Sequence, residues 1–189
     1  MKRARLLAIL PAALLLLVAA GRHHPDAAFR SVTQLAAVAQ APSMNGTFVF
    51  TAQGSDNVED VIKAGTARMT FIKRPIARSR LKKTNQPYQS VTIEHTPAQV
   101  SVQTDNRKPI LTPADGKSIK WTREDGEVFD VNTVWEQGKL KEMFVAGDGS
   151  RENLFSVSAD GTILTMQVTI RSPQLPAPIV YEVDYKRKA

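Results

Sequence analysis

Two stretches decide the fold: Asp160-Gly-Thr-Ile-Leu-Thr-Met-Gln-Val-Thr-Ile-Arg171 and Ile179-Val-Tyr-Glu-Val-Asp-Tyr185. In the first, Leu164, Met166, Val168 and Ile170 alternate with Thr165, Gln167 and Thr169. In the second, Ile179, Tyr181, Val183 and Tyr185 are opposed by Glu182, Asp184 and then Lys186. A side-chain period of two places each apolar set on one face of a β-strand. The Asp160-Gly161 pair that opens the first stretch also belongs to a series: Asp115-Gly116, Asp125-Gly126, Gln137-Gly138 and Asp148-Gly149 precede it at intervals of 10, 12, 11 and 12 residues. Glycine takes positive φ without steric cost, so each pair marks a tight hairpin turn, one per strand.

Working outward, Phe129, Val131 and Trp135 share one face of a strand, with Val128, Asp130 and Asn132 on the other. Val91–His95, Ala98–Val102, Lys108–Leu111 and Ser118–Thr122 complete nine strands after Pro87, and Phe48 with Phe50 supplies a tenth upstream. The expected class is mainly β: an antiparallel up-and-down meander of about ten strands that forms a closed or nearly closed barrel. Closure removes the exposed edges of such a sheet, and a half-open sheet wrapped around a helix satisfies the same pattern.

A helical insert is expected between the first two strands, at about residues 56–82. Asp56 reads as its N-cap with Glu59 as capping-box partner. Val58, Ile62, Gly65, Met69, Ile72 and Ile76 fall on one stripe, which Pro75 kinks or ends before a second piece from Ile76 to Lys82.

Upstream of the barrel, Lys2, Arg3 and Arg5 precede an apolar run from Leu6 to Ala20. A charged start, a run short of the ~20 residues that span a bilayer, and small residues at Val18 and Ala20 read as a signal peptide over 1–20, cleaved before Gly21. The remainder is then exported, to the periplasm or outside the cell, and an uncleaved anchor is the alternative. Residues 21–45 read as a leader, partly helical or disordered, and 46–189 as the β domain.

Composition narrows the function. The chain has 189 residues, 25 Lys+Arg, 18 Asp+Glu and a net charge of +7. Without Lys2, Arg3 and Arg5 the balance is 22 against 18, or +4, which argues against a nucleic-acid partner. Zero Cys excludes disulfides, thiolate metal sites and a Cys nucleophile.

The strand, helix, nine-strand order resembles the fatty-acid-binding branch of the calycin superfamily, in which a helix-turn-helix covers the barrel mouth. Asp160-Gly-Thr-Ile-Leu-Thr-Met166, Ser172-Pro-Gln-Leu-Pro-Ala-Pro178, Val180-Tyr-Glu-Val-Asp-Tyr185 and Met69-Thr-Phe-Ile-Lys-Arg-Pro-Ile-Ala-Arg78 resemble exported bacterial lipocalin-like proteins of unassigned function. The resemblance implies an apolar ligand inside the barrel. Fatty-acid binders carry an Arg two residues before the last-strand Tyr, and here that position is Val183.

Catalytic material is sparse. His23 and His24 lie in the leader, His95 shares a face with Val91 and Ile93, and H-E-x-x-H, G-x-S-x-G, S-x-x-K, P-loop and dinucleotide patterns are absent. A non-enzymatic role is therefore expected, with a hydrolase organised around His95 as a third reading, and no metal or cofactor is implied. Glu142 alternates with Leu140 and Phe144. On an interior face it is a buried acid that needs a ligand or a Lys, but the mixed pattern of Lys139, Lys141, Met143 and Val145 favours a register irregularity that turns it outward.

The expected function is non-enzymatic binding of an apolar or amphipathic small molecule or lipid, with Met69, Ile72, Trp121, Phe129, Trp135, Tyr181 and Tyr185 as lining residues. A filled interior would defeat it. The second reading uses the acid-free basic run from Lys63 to Lys83, with Arg74, Arg78 and Arg80 as surface cations, against an envelope protein or an anionic membrane surface.

Overall fold

The computed structural model describes residues 43–189. The leader and signal-peptide readings fall almost wholly outside these residues. The elements run β1 (Gly46–Thr51), α1 (Val58–Gly65), α2 (Lys73–Thr84), β2 (Ser90–His95), β3 (Gln99–Thr104), β4 (Ile110–Pro113), β5 (Ile119–Thr122), β6 (Val128–Glu136), β7 (Lys139–Ala146), β8 (Gly149–Val157), β9 (Ile163–Arg171) and β10 (Ile179–Arg187). All ten strands form one sheet, ordered β4-β3-β2-β1-β10-β9-β8-β7-β6-β5, with every pair antiparallel. Pairing of β1 with β10 curls the meander into a nearly closed barrel. The seam lies between the consecutive strands β4 and β5, which do not pair. Thr112 Oγ1 on β4 and Thr133 Oγ1 on β6 are 2.5 Å apart and bridge it.

The turns follow the sequence except at one corner. Gly116, Gly126, Gly138 and Gly161 have positive φ as expected, but between β7 and β8 the left-handed residue is Gly147, and Gly149 already pairs with Ala146.

The apolar core is built by the inward faces of β1–β3 and β8–β10 with α1 laid over them. Phe48, Val91, Ile93, Phe155, Leu164, Val183 and Tyr185 are fully buried, and Ile62 of α1 is 1% exposed. Each such side chain contributes about 1.5–3 kcal/mol relative to exposure. The insert joins β1 to β2 at one end of the barrel. At the other end His95 and Trp135 meet with ring centroids 5.1 Å apart.

The insert departs from the single stripe. Its N-cap is Asn57, whose side chain accepts from Glu59 N and Asp60 N. Asp56 instead pairs with β10, its carboxylate accepting from Glu182 N at 2.8 Å while its own N–H donates to Glu182 O. α1 stops at Gly65, where a Cβ would lie 2.7 Å from Ile179 Cγ1, and Thr66 Oγ1 donates back to Ile62 O at 2.8 Å. Pro75 does not end a helix. It sits in the first turn of α2, where its missing N–H has no partner to lose.

Candidate functional site: a polar belt inside the barrel

Strand register dictates the site. Thr133 lies opposite Glu142, and Glu142 opposite Asn153. Directly paired residues on neighbouring strands point to the same side, so one polar row crosses the interior and Thr112 carries it over the seam. Thr112, Thr133, Glu142 and Asn153 are all buried. The outward register expected for Glu142 is therefore corrected: β7 runs without a bulge against both neighbours, and burial follows the alternation of Leu140 and Phe144.

Glu142 Oε2 accepts from Asn153 Nδ2 at 3.0 Å, and its Oε1 has no partner. Burial pushes its pKa up to about 7, against the opposing pull of the Asn153 hydrogen bond and the Arg151 charge. No Lys serves it.

Above the row, toward the insert, stands Arg151. Its Nε donates to Asn153 Oδ1 and its Nη1 to Asn85 Oδ1, both at 2.8 Å, and its guanidinium lies 5.8 Å from the Tyr88 ring centre. Burial opposes its charge, but the surrounding Tyr88, Tyr181, Glu142 and Tyr185 outweigh that and raise its pKa. Tyr181 donates its hydroxyl to the same Asn85 Oδ1 at 3.2 Å. The Tyr185 hydroxyl is buried without a partner, and desolvation raises its pKa.

Asn85 ties this cluster to the insert. As the residue after α2 it donates Nδ2 to Leu81 O at 2.9 Å, closing the helix, while its oxygen faces inward to Arg151 and Tyr181. It also borders a surface cleft of about 180 Å³ at the insert, with Asp56, Glu59, Ile62, Lys82 and Pro87. This cleft is smaller than the ~300–1,000 Å³ of established ligand sites, and Glu142, Arg151, Tyr181 and Tyr185 do not border it.

Chemically the belt can receive the polar end of a molecule. It offers one guanidinium, two phenols and an acid poised near neutrality, and two of its buried polar atoms are unsatisfied. An orphan of that kind costs about 1–3 kcal/mol, which a bound polar group would recover. Among the described residues no three His, Cys, Asp or Glu side chains gather as a metal site.

The expected lining residues disperse. Tyr181 and Tyr185 belong to the belt. Trp121 and Phe129 form a half-buried aromatic group with Phe144, at centroid spacings of 5.8 to 6.1 Å, with Arg123 over Phe129. Trp135 caps the far end of the barrel against His95 and is 38% exposed. Met69 is buried in the turn between the helices, whereas Ile72 is 63% exposed on the outside of the insert. Arg74 donates to Met69 O, and Arg78 to Thr66 Oγ1 and Lys63 O, so both hold the insert together. Arg80 is largely exposed, 3.9 Å from Glu127.

Sequence reasoning passed over Arg151, Asn153 and Asn85. The signal for the first two was present: Arg151, Asn153, Phe155 and Val157 alternate in phase, so an inward Phe155 implies an inward Arg151. Nothing local marks Asn85.

No family model matches the chain, and no curated protein sequence does. Solved structures do share the fold. A secretory abundant heat soluble protein from Ramazzottius varieornatus is similar at 11% identity and TM-score 0.56, over 78% of this chain and 96% of that one. A REP1-NXSQ fatty acid transporter gives 15% identity, TM-score 0.49, and 77% and 96% coverage. Fatty-acid-binding protein 1 of Echinococcus granulosus gives 12%, 0.49, and 77% and 98%. At 11% identity, the likeness to the heat soluble protein is one of fold alone.

Proposed function

We propose that the protein is an exported, non-enzymatic carrier that holds an amphipathic small molecule or lipid inside the barrel, with its polar end at Arg151, Tyr181, Tyr185 and Glu142. The observation that carries this reading is the pair of unpartnered buried atoms, Glu142 Oε1 and Tyr185 Oη, in one cluster with a guanidinium. A structural core gains nothing from such a set, and replacing it by apolar side chains is commonly neutral or stabilising.

The packed interior adds a condition: a ligand must displace what now fills it. Asn85 Oδ1 occupies the place where a ligand oxygen would sit between Arg151 and Tyr181, so entry requires the α2 end of the insert to withdraw. Val183 stands where the fatty-acid clamp carries its Arg, so the last strand offers no cation there. The single guanidinium beside a neutralisable acid suits a singly anionic or neutral polar head.

Titration with a fluorescent anionic amphiphile tests this reading. Arg151→Met, which keeps the length of the side chain, is expected to weaken binding about 10- to 100-fold through the loss of a charge-assisted hydrogen bond. Saturable binding unaffected by Arg151→Met places the ligand elsewhere and overturns the assignment. Export is tested by N-terminal sequencing of the protein recovered from cell fractions, with Gly21 as the expected first residue.

A further inference from the structure

The outside of the insert carries a surface that the barrel does not use. α2 has no buried residue. Its inner side is held by the Arg74 and Arg78 hydrogen bonds and by half-buried Leu81. Its outer side aligns Ile72, Ile76, Ser79 and Lys83 at spacings of four, three and four, one stripe of a helix. Phe71 precedes it. Phe71, Ile72 and Ile76 are 80%, 63% and 69% exposed, the three most exposed large apolar side chains among the described residues. Single exposed apolar groups are ordinary, whereas two on one stripe with Phe71 next to them in the chain mark an interaction site.

Charge identifies the partner. Exposed Arg68, Lys73 and Arg80 neighbour the stripe in sequence, exposed Lys83 ends it, and no acid occurs in the sequence from Val61 to Ile93. Glu127 is the acid closest to Arg80, at 3.9 Å on a partly exposed pair, and such a contact is weak in water. Apolar side chains at the centre with cations at the rim fit a lipid bilayer bearing anionic headgroups: the isoleucines and Phe71 enter the acyl boundary while the ammonium and guanidinium groups stay at phosphate depth.

We infer that Phe71, Ile72 and Ile76, with Lys73, Arg80 and Lys83, dock the insert on an anionic membrane surface. This surface is independent of what the barrel holds. It also sets aside Arg74 and Arg78, whose hydrogen bonds within the insert make them unsuitable for a charge test.

The absence of Cys allows a unique label. The chain from Gly21 onward with Ser79→Cys carries an environment-sensitive dye in the middle of the patch, and Lys139→Cys places the same dye at the far end of the barrel. Vesicles of phosphatidylcholine with 30% phosphatidylglycerol, about a typical anionic content for such assays, are compared with phosphatidylcholine alone. The expected result is a blue shift at position 79 only, with anionic vesicles only, fading as salt rises. Lys73→Ala with Lys83→Ala is expected to weaken it about 25-fold, roughly fivefold per cation. Ile72→Ser with Ile76→Ser is expected to weaken it more than tenfold, about the loss of one buried side chain. These positions carry no interior contacts, so circular dichroism stays unchanged. An equal shift at both positions, a shift indifferent to headgroup charge, or pairing of two chains through the stripe without any vesicle response would each overturn the inference. A barrel that fails to bind amphiphiles leaves this outcome unaffected.

Discussion

The two helices of the insert are neighbours in the chain and are held in opposite ways. α1 is amphipathic: it is N-capped by Asn57, buries Val58 and Ile62 against the core, and brings Gly65 onto Ile179. α2 buries no residue of its own and is fixed by hydrogen bonds from Arg74, Arg78 and Asn85. Apolar burial resists local opening more than a few part-buried hydrogen bonds on a largely exposed helix do. The comparison therefore separates a helix held by apolar burial from one held mainly by hydrogen bonds, and the second ends on the residue that reaches Arg151 and Tyr181.

Mutations can break or sharpen this contrast. Ile62→Ala is expected to cost about 2–5 kcal/mol in denaturant unfolding, the range for emptying a core position. Ile76→Ala, the matching change on α2, is expected to stay within about 0.5 kcal/mol. Equal losses at the two positions would erase the distinction.

Glu142→Gln probes the belt beneath α2. The folded-state pKa of Glu142, about 7, lies above its ordinary value of 4.5, so the folded protein binds the extra proton between these limits. Stability attributable to this group is accordingly full below about pH 4.5 and falls as pH rises toward 7, by up to roughly 3 kcal/mol. Glutamine keeps the amide-to-carbonyl pairing with Asn153 and cannot ionise. The variant is expected to match the parent at pH 4.5 and to be more stable at pH 8.

Asn85→Ala removes the acceptor shared by Arg151 and Tyr181 and the closure of α2. A loss of about 1–3 kcal/mol is expected from the stranded donors. Hydrogen exchange should accelerate over Lys73–Thr84 and stay unchanged over Val58–Gly65. Acceleration of both helices together would mean that the insert opens as one unit. Asn57→Ala is the smallest effect, about 1 kcal/mol from the lost N-cap and confined to α1.

The strands and their order were legible because period-two alternation and the glycine turns are local signals. Closure was legible only as a need to hide edges, since the Thr112 to Thr133 bridge joins positions far apart in the chain. The insert was misread at Ile72 and Ile76. Their spacing continues the stripe of Val58 and Ile62, and only the close packing of Gly65 on Ile179 shows that the stripe breaks. Glu142 was misread because lysines on both sides obscured its alternation, while its burial depends on strands paired through β6 and β8. Tyr181 and Tyr185 were recognisable from the amphipathic last strand, but their partner Asn85 lies 96 residues before Tyr181.

Native mass spectrometry of the protein gently purified from its own cells, followed by solvent extraction of whatever it carries, tests the central claim most directly. The account predicts a reproducible added mass that extracts as an amphipathic molecule and is lost in Arg151→Met. A bare chain of unmodified mass that also takes up no amphiphile on incubation would contradict it, and would make the polar belt a feature of the folded core alone.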